Sequence, residues 1–322
     1  MSVSKAAVFK KALRQVCRHG PGLLVERFVR RKEILSSAPV RCDANGPLEV
    51  HMQVCDRDWL NAFWTLKSFH KQAGTPFSLF IYLDFNVPAG VKELFETHFP
   101  GVQVARHDWL DDEVRQRLAP VAPSVATLWR AHYSPTLYKM VNAWICSRRK
   151  RALYLDPDVL FFSAPEELLA FAHDQKPNGS LGLFNVTSLP PAELEDPGAF
   201  CVHEHDVLQN YGLSLPRDFN AGIAVLRMAS LDWELLEDAL KSLRWIADRK
   251  LLVDQTCLAL LAAKYGWERL DRSRYIVDEG ELGPATVASH YFGSTRRDAF
   301  YAEGIPALRK RGLLNGHHID TH

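Results

Sequence analysis

The chain has 322 residues, enough to bury a sizeable core. Its 47% hydrophobic and 24% charged content is that of an ordinary globular protein, and its net charge of +1 excludes a nucleic-acid partner recognised through bulk charge. The charge is unevenly placed. Residues 1–40 hold nine Lys/Arg and two Glu, a net +7, which leaves −6 for the rest.

In chain order, residues 5–35 read as two short helices broken at Gly20-Pro21-Gly22. Phe9, Leu13 and Val16 share a face, and basic residues fill the others. This basic arm, residues 1–45, is expected either to pack on the body or a second subunit of a homo-oligomer, or to touch an anionic membrane surface through residues 1–40. From residue 46 to 322 the pattern is that of one domain. Leu48–Val54, Phe77–Leu83 and Val102–Arg106 are expected strands, alternating with helices at Trp59–His70 and Val87–His98. Such alternation predicts an α/β fold, a mostly parallel sheet flanked by helices. Residues 108–134, with Pro120 and Pro123, read as a loop. A helix is expected from Pro135 to Ser147, then a wholly apolar strand at Ala152–Leu155. Further strands are expected at Ser180–Asn185, Gly222–Arg227 and Thr286–Tyr291, with helices at Leu231–Ala247, Val253–Tyr265 and within 298–311.

The six cysteines, at 17, 42, 55, 146, 201 and 257, show neither C-x-x-C nor zinc-finger spacing, which points to a reducing compartment. No segment approaches the ~20 apolar residues that span a bilayer, and the first residues do not read as a signal peptide. A cytoplasmic location is expected, with peripheral contact at the inner face of a membrane only under the membrane-touching reading of the basic arm.

The strongest chemical signal is Asp156-Pro157-Asp158, just past the apolar strand and followed by the apolar Val159–Phe162. Ligands bind at that edge of an open α/β sheet. Carboxylates at i and i+2 of extended chain face the same way and offer hard oxygens to Mg²⁺ or Mn²⁺. His290 ends the last expected strand, where a neutral imidazole can complete a metal's coordination. Gly293 allows close backbone approach to a ligand, and Arg296 and Arg297 suit phosphate oxygens. Asn220-Ala221-Gly222 precedes an apolar run; the amide can orient a sugar hydroxyl while glycine clears space. Asp254 and Gln255 open a helix, and Lys139 sits on the helix before the Asp156 strand. The clusters His203-Glu204-His205-Asp206 and His317, His318, Asp320, His322 lack zinc spacing and read as solvated surface.

Taken in order, Lys139, Asp156-Pro157-Asp158, Asn220-Ala221-Gly222, Asp254-Gln255 and His290-x-x-Gly293-x-x-Arg296 resemble the retaining glycosyltransferase family of glycogenin and the bacterial lipopolysaccharide galactosyl- and glucosyltransferases. The resemblance covers roughly residues 49–297. It implies the GT-A (nucleotide-diphospho-sugar transferase) fold and hexosyl transfer from a nucleotide-sugar, UDP-sugar by the family's habit, to a saccharide, lipid-linked or protein acceptor. It implies Asp156, Asp158 and His290 as metal ligands for Mn²⁺ or Mg²⁺. Lys139, Gly293 and Arg296 would contact the donor, and Asp56 would lie in the uridine pocket. Asn220, Asp254 and Gln255 would surround the donor sugar. The chain departs from the family in having Arg296 for the usual Lys, Arg297 and Asp298 for the Pro-Trp that follows, and Lys139 where Arg is common. It therefore looks like a divergent branch. Two competing readings remain: a non-catalytic nucleotide-sugar-binding or scaffold protein on the same fold, and a haloacid-dehalogenase-type phosphatase, whose later acidic pair has no counterpart after residue 158.

Overall fold

Leu48, Val50, Met52 and Val54 alternate with Glu49, His51 and Gln53, so the first strand, β1 (Leu48–Val54), puts an apolar row on one face and a polar row on the other. Both rows are buried because helices cover both faces. In the polar row, Glu49 accepts from Ser147 Oγ at 2.6 Å and from Arg148 N at 2.9 Å, and His51 Nδ1 lies 2.7 Å from Tyr82 OH. The computed structural model describes residues 29–131, 135–173, 180–186, 200–216, 218–246, 252–277, 281–292, 296 and 298–312.

The remaining strands are β2 (Phe77–Leu83), β3 (Gln103–Arg106), β4 (Arg151–Leu155), β5 (Val159–Phe161), β6 (Gly182–Val186), β7 (Phe219–Arg227), β8 (Glu268–Arg269), β9 (Tyr275–Val277) and β10 (Ala288–His290). Seven form one sheet in the order β3-β2-β1-β4-β7-β6-β8. The β3-β2-β1-β4 half is parallel, β7 runs antiparallel to both β4 and β6, and β8 is parallel to β6. A small sheet β5-β10-β9 branches off after β4.

Helices α1 (Trp59–Ala73), α2 (Val91–His98), α5 (Glu166–Ala172) and α9 (Ile305–Lys310) form one layer with the small sheet. The opposite layer contains α3 (Pro123–Arg130), α4 (Pro135–Cys146), α6 (Glu204–Tyr211), α7 (Trp233–Ser242) and α8 (Val253–Tyr265). Among the described residues no helix is long and apolar enough to cross a membrane.

Several expected boundaries move, each for a local reason. The second helix starts at Val91 instead of Val87, because Val87 N bonds back to Asp84 O at 3.1 Å and Gly90, at φ 89°, turns the chain in a conformation that favours glycine. Strand β7 begins at Phe219 instead of Gly222, since Phe219 and Asn220 pair with β6 beyond a bulge. Asn220-Ala221-Gly222 therefore lies inside a strand. The expected loop 108–134 contains α3, whose first turn is capped from another helix: Glu237 accepts from Ser124 N, Ser124 Oγ and Val125 N. The 231–247 helix stops at Ser242, where Leu243 turns extended.

Residues 29–44, the described part of the expected arm, pack on the body. Ile34 is buried, Arg309 pairs with Glu33 at 3.0 Å, and the Lys67 ammonium donates to Ser37 Oγ and Ala38 O at 2.7 and 2.6 Å. Residues 1–28, and with them most of the expected membrane-contacting face, lie outside the described residues. Cys42, Cys55, Cys146, Cys201 and Cys257 are free thiols.

Asp232 ties α7 to α8. Its Oδ1 accepts from Leu235 N at 2.9 Å, and its Oδ2 from Lys264 Nζ at 2.7 Å and Tyr265 OH at 2.6 Å. Asp232→Ala is expected to cost about 1.5 kcal/mol, a cap's worth plus the lost bridge, read as a lower urea midpoint. An unchanged midpoint would contradict this.

Candidate active site

The register of three strand pairs assembles the site. β1 and β4 run parallel, so both end at the same edge. β7 runs against β4, with Leu155 opposite Ile223, which brings Gly222 beside Asp156. β10 runs against β5, with His290 opposite Val159, which brings the imidazole to Asp158. The turn at 156–158 is held at every residue: Asp156 N donates to Gly222 O at 2.8 Å, Thr65 Oγ1 donates to Pro157 O at 2.7 Å, and Tyr291 N donates to Asp158 O at 2.9 Å.

Asp156, Asp158 and His290 each offer one ligand atom to a cluster whose members all lie within 4.8 Å of one another. His290 Nε2 is 3.1 Å from Asp158 Oδ1 and 3.6 Å from Asp156 Oδ2. The tautomer of His290 follows from its other nitrogen. Asn220 Oδ1 accepts from Gly222 N at 2.9 Å, which fixes that atom as the oxygen, and it lies 3.2 Å from His290 Nδ1. Nδ1 is therefore the protonated nitrogen, and in the neutral ring Nε2 aims its lone pair at two carboxylates. His290 Nε2 and Asp158 Oδ1 are both buried without a hydrogen-bond partner. Two hard oxygens and one imidazole nitrogen, with the second ring nitrogen anchored by a protein acceptor, suit a divalent cation of the Mn²⁺ or Mg²⁺ kind.

Without a cation, the charges at the site compensate one another. Burial alone depresses His290, yet Asp158 and Asp156 outweigh it and hold the imidazole above its usual range. Burial raises the Asp156 carboxyl, offset in part by Lys139 and His290. Lys139 is buried too, but Asp156, the Tyr154 ring and Asp254 keep its ammonium well above its usual range. Lys139 Nζ donates to Asp156 Oδ1, lies 3.6 Å from Asp254 Oδ2, and stands 5.2 Å over the Tyr154 ring. Asp156 is thus shared: Oδ1 faces Lys139 and Oδ2 faces His290.

The structure brings Lys139, Asp156, Asp158, Asn220, Asp254 and His290 into one connected group. Gln255 follows Asp254 in the first turn of α8. Asp56 is exposed just past β1. The contact seen for Arg296 is with the Tyr291 ring, 5.1 Å below its guanidinium, and its Nε is buried without a partner. Gly293 and Arg297 lie outside the described residues, as do the C-terminal histidines. Of the other acidic-histidine cluster, Asp206 pairs with Arg244 at 3.0 Å on the surface.

Sequence reasoning missed two residues and gave a third the wrong neighbour. Thr65 pins Pro157 from α1, and nothing local to either marks that pairing. Asp58 sits close enough to feel Asp158 and Asp156; burial first, then those two carboxylates, push it up to about 6, against its bonds from Cys55 N and Sγ at 2.8 and 3.0 Å. Gly222 was seen as clearing space for a ligand, whereas its space is taken by His290: a Cβ there would stand 2.1 Å from the imidazole Cε1 and 2.3 Å from Nδ1.

The sequence matches no family model and no curated protein. Solved structures do match. The bifunctional glycosyltransferase WbbM aligns with a TM-score of 0.52 at 14% identity, covering 84% of this chain and 53% of its own. This chain thus spans about half the length of that protein. The galactosyltransferase LgtC, in complex with donor and acceptor sugar analogues, aligns with a TM-score of 0.50 at 13% identity, covering 84% of this chain and 97% of its own. At such identities the likeness is one of architecture: the chain is a divergent example of the GT-A-like α/β fold found in these glycosyltransferases.

Proposed function

We propose that the protein is a metal-dependent glycosyltransferase that moves a hexose from a UDP-sugar to a glycan, lipid-linked or protein acceptor with retention of anomeric configuration. The observation that carries the proposal is the convergence of Asp156, Asp158 and His290, whose ligand atoms all lie within 4.8 Å of one another at the end of β4, with Asn220 against the other ring nitrogen. A divalent cation held by Asp156, Asp158 and His290 would supply positive charge where the departing diphosphate gathers negative charge.

The chain's own residues divide the remaining work. Asn220 and Gly222 hold His290 and Asp156 in place. Lys139 keeps a permanent charge between Asp156 and Asp254, which fixes both carboxylates. Asp254 and Gln255, at the start of α8, would orient the donor sugar and stabilise an anomeric carbon that becomes electron-poor, the roles that the family resemblance gives them. Arg296 carries a guanidinium fork suited to the diphosphate, in the place where the related family has Lys. The UDP preference and retention come from the family resemblance.

Calorimetry with UDP tests the proposal. Binding is expected with Mn²⁺, reduced at least about tenfold without it and in Asp158→Asn. Mn²⁺ alone is expected to raise the Tm of the wild type, because it binds only the folded arrangement of the three ligands, and not that of the variant. UDP-sugar hydrolysis followed by NMR then reads the donor and the anomeric outcome. UDP binding with no turnover of any UDP-sugar would favour the scaffold alternative. Binding indifferent to Mn²⁺ and to Asp158 would overturn the metal site.

A further inference from the structure

Residues 29–44 follow one stripe of α1. Trp59, Phe63 and Lys67 recur at i, i+4 and i+8, so they line one side of that helix. The Arg31 guanidinium stands 5.2 Å over the Trp59 ring, and Lys67 Nζ donates to Ser37 Oγ at 2.7 Å and to Ala38 O at 2.6 Å. Ile34, between these contacts in the chain, joins the same buried cluster as Phe63. Farther on, Val40 N donates to His98 O and Cys42 N to Pro100 O, both at 2.8 Å, and Asp43 N donates to Phe77 O at 3.0 Å. The segment therefore runs antiparallel to α1, between the start of β2 and the ligand-binding edge of the sheet. There Trp59 follows the 55–58 turn that carries Asp56.

Few apolar anchors hold this segment. Within it Ile34 and Cys42 fully bury an apolar side chain. The tie in its middle is polar: Lys67 is 6% exposed, and its ammonium is held by Ser37 Oγ, Ala38 O and, at 3.2 Å, His98 Nδ1. Two of these partners belong to the segment itself. When the segment lifts, the ammonium passes into water and no buried charge is stranded, which makes the segment a unit that can open by itself.

The same turn of α1 reaches the cation site from its other side. Thr65 Oγ1 donates to Pro157 O at 2.7 Å, Ser68 Oγ donates to Thr65 O at 2.9 Å, and Ser68 Oγ accepts from Phe161 N at 3.1 Å. At about 100° per residue, Thr65 and Lys67 fall on nearly opposite sides of the helix. Residues 65–68 thus bond outward to the 29–44 segment and inward to residues 157–161.

We propose that residues 29–44 form a strap that positions the cation site: seated on α1, it steadies the turn from which Thr65 and Ser68 fix residues 157–161, and lifting it loosens Asp156 and Asp158. Lys67 is the positioning residue that latches the strap. The coupling acts equally in both directions, so a bound cation steadies the strap. The inference rests on the cation-site reading, but its first readout needs no ion.

That readout is hydrogen exchange on the full chain. Lys67→Met keeps the length of the side chain and loses its donors. Exchange at the strap amides of Val40 and Cys42 is expected to rise at least about tenfold, the cost of one hydrogen bond to a charged group. The amides of Asp156 and Phe161 should follow, and those between β2 and β3 should not. Ser37→Ala should give a smaller change of the same pattern, and it serves if Lys67→Met loses its near-UV circular dichroism. Mn²⁺ affinity, by calorimetry, is expected to fall about tenfold in Lys67→Met, and to fall no further when Lys67→Met is added to Thr65→Val, which has already cut the link. In the wild type, Mn²⁺ should slow exchange in the strap. If the wild type takes up no Mn²⁺, the cation-site reading fails and exchange alone decides for the strap. Strap amides unchanged in both variants, a released strap with Asp156 and Phe161 unchanged, or additive losses of Mn²⁺ affinity would overturn it.

Discussion

Gly222→Ala is expected to lower Mn²⁺ affinity about a hundredfold, although no atom of Gly222 is a metal ligand. Its Cβ would stand 2.1 to 2.7 Å from three atoms of the His290 ring, closer than any real contact. The backbone on the other side cannot yield freely, since Gly222 O accepts from Asp156 N and Gly222 N donates to Asn220 Oδ1. The ring must leave, and it loses both its place beside Asp158 and its bond to Asn220. Overpacking of this kind also costs about 2 kcal/mol of stability. A double-mutant cycle isolates the cause. In a His290→Ala background the added methyl meets no imidazole, so Gly222→Ala should cost little more there. If the methyl costs as much without the ring as with it, the steric account is wrong.

Lys139→Met should lower stability by about 3 kcal/mol at pH 8, because it leaves two buried carboxylates without their cation. Asp156 and Asp254 are 17% and 6% exposed, so water cannot replace the ammonium well. The pH dependence has a definite sign. Lys139 has a raised pKa in the folded state, so its contribution is fully present below the pKa of an unfolded lysine and is lost only as pH rises through the raised value. In the variant, Asp156 loses the charge that opposes its burial and its pKa rises further. The folded variant then binds more protons than the unfolded chain at mildly acidic pH, and its stability climbs as pH falls. The gap between wild type and variant should therefore narrow from pH 8 to pH 5, measured by urea denaturation. Mn²⁺ should restore part of the loss at pH 8. A variant as stable as wild type at pH 8 would show that the three-way pairing carries no weight.

The parallel half of the fold could be read from the sequence because its strands are short β-rich segments, alternating in β1 and apolar in β2, between amphipathic helices. Leu48–Val54 and Phe77–Leu83 fall where the pattern puts them. The 108–134 segment misled because the start of α3 is capped by Glu237, which lies 113 residues from Ser124 and leaves no trace in a local window. Strands β8 and β9, of two and three residues, are too short for any periodicity. At the site, Asp156, Asp158 and His290 stood out as residue types at strand ends. What holds them did not. Glycine at 222 looks the same whether it makes room for a substrate or for a side chain 68 positions on, and only the β4–β7 and β5–β10 registers decide between them.

The three bonds that hold Asp156, Pro157 and Asp158 reach to Gly222, Thr65 and Tyr291, one before the turn and two well after it in the chain. None of these is local in sequence. During synthesis the turn emerges long before Tyr291, so the carboxylates cannot be clamped until nearly the whole domain has left the ribosome. Contacts this distant are late and slow to form. A cation held by Asp156, Asp158 and His290 would therefore bind only once β10 has joined β5: a chain lacking that strand has the two aspartates but neither the imidazole nor the Tyr291 bond that anchors Asp158.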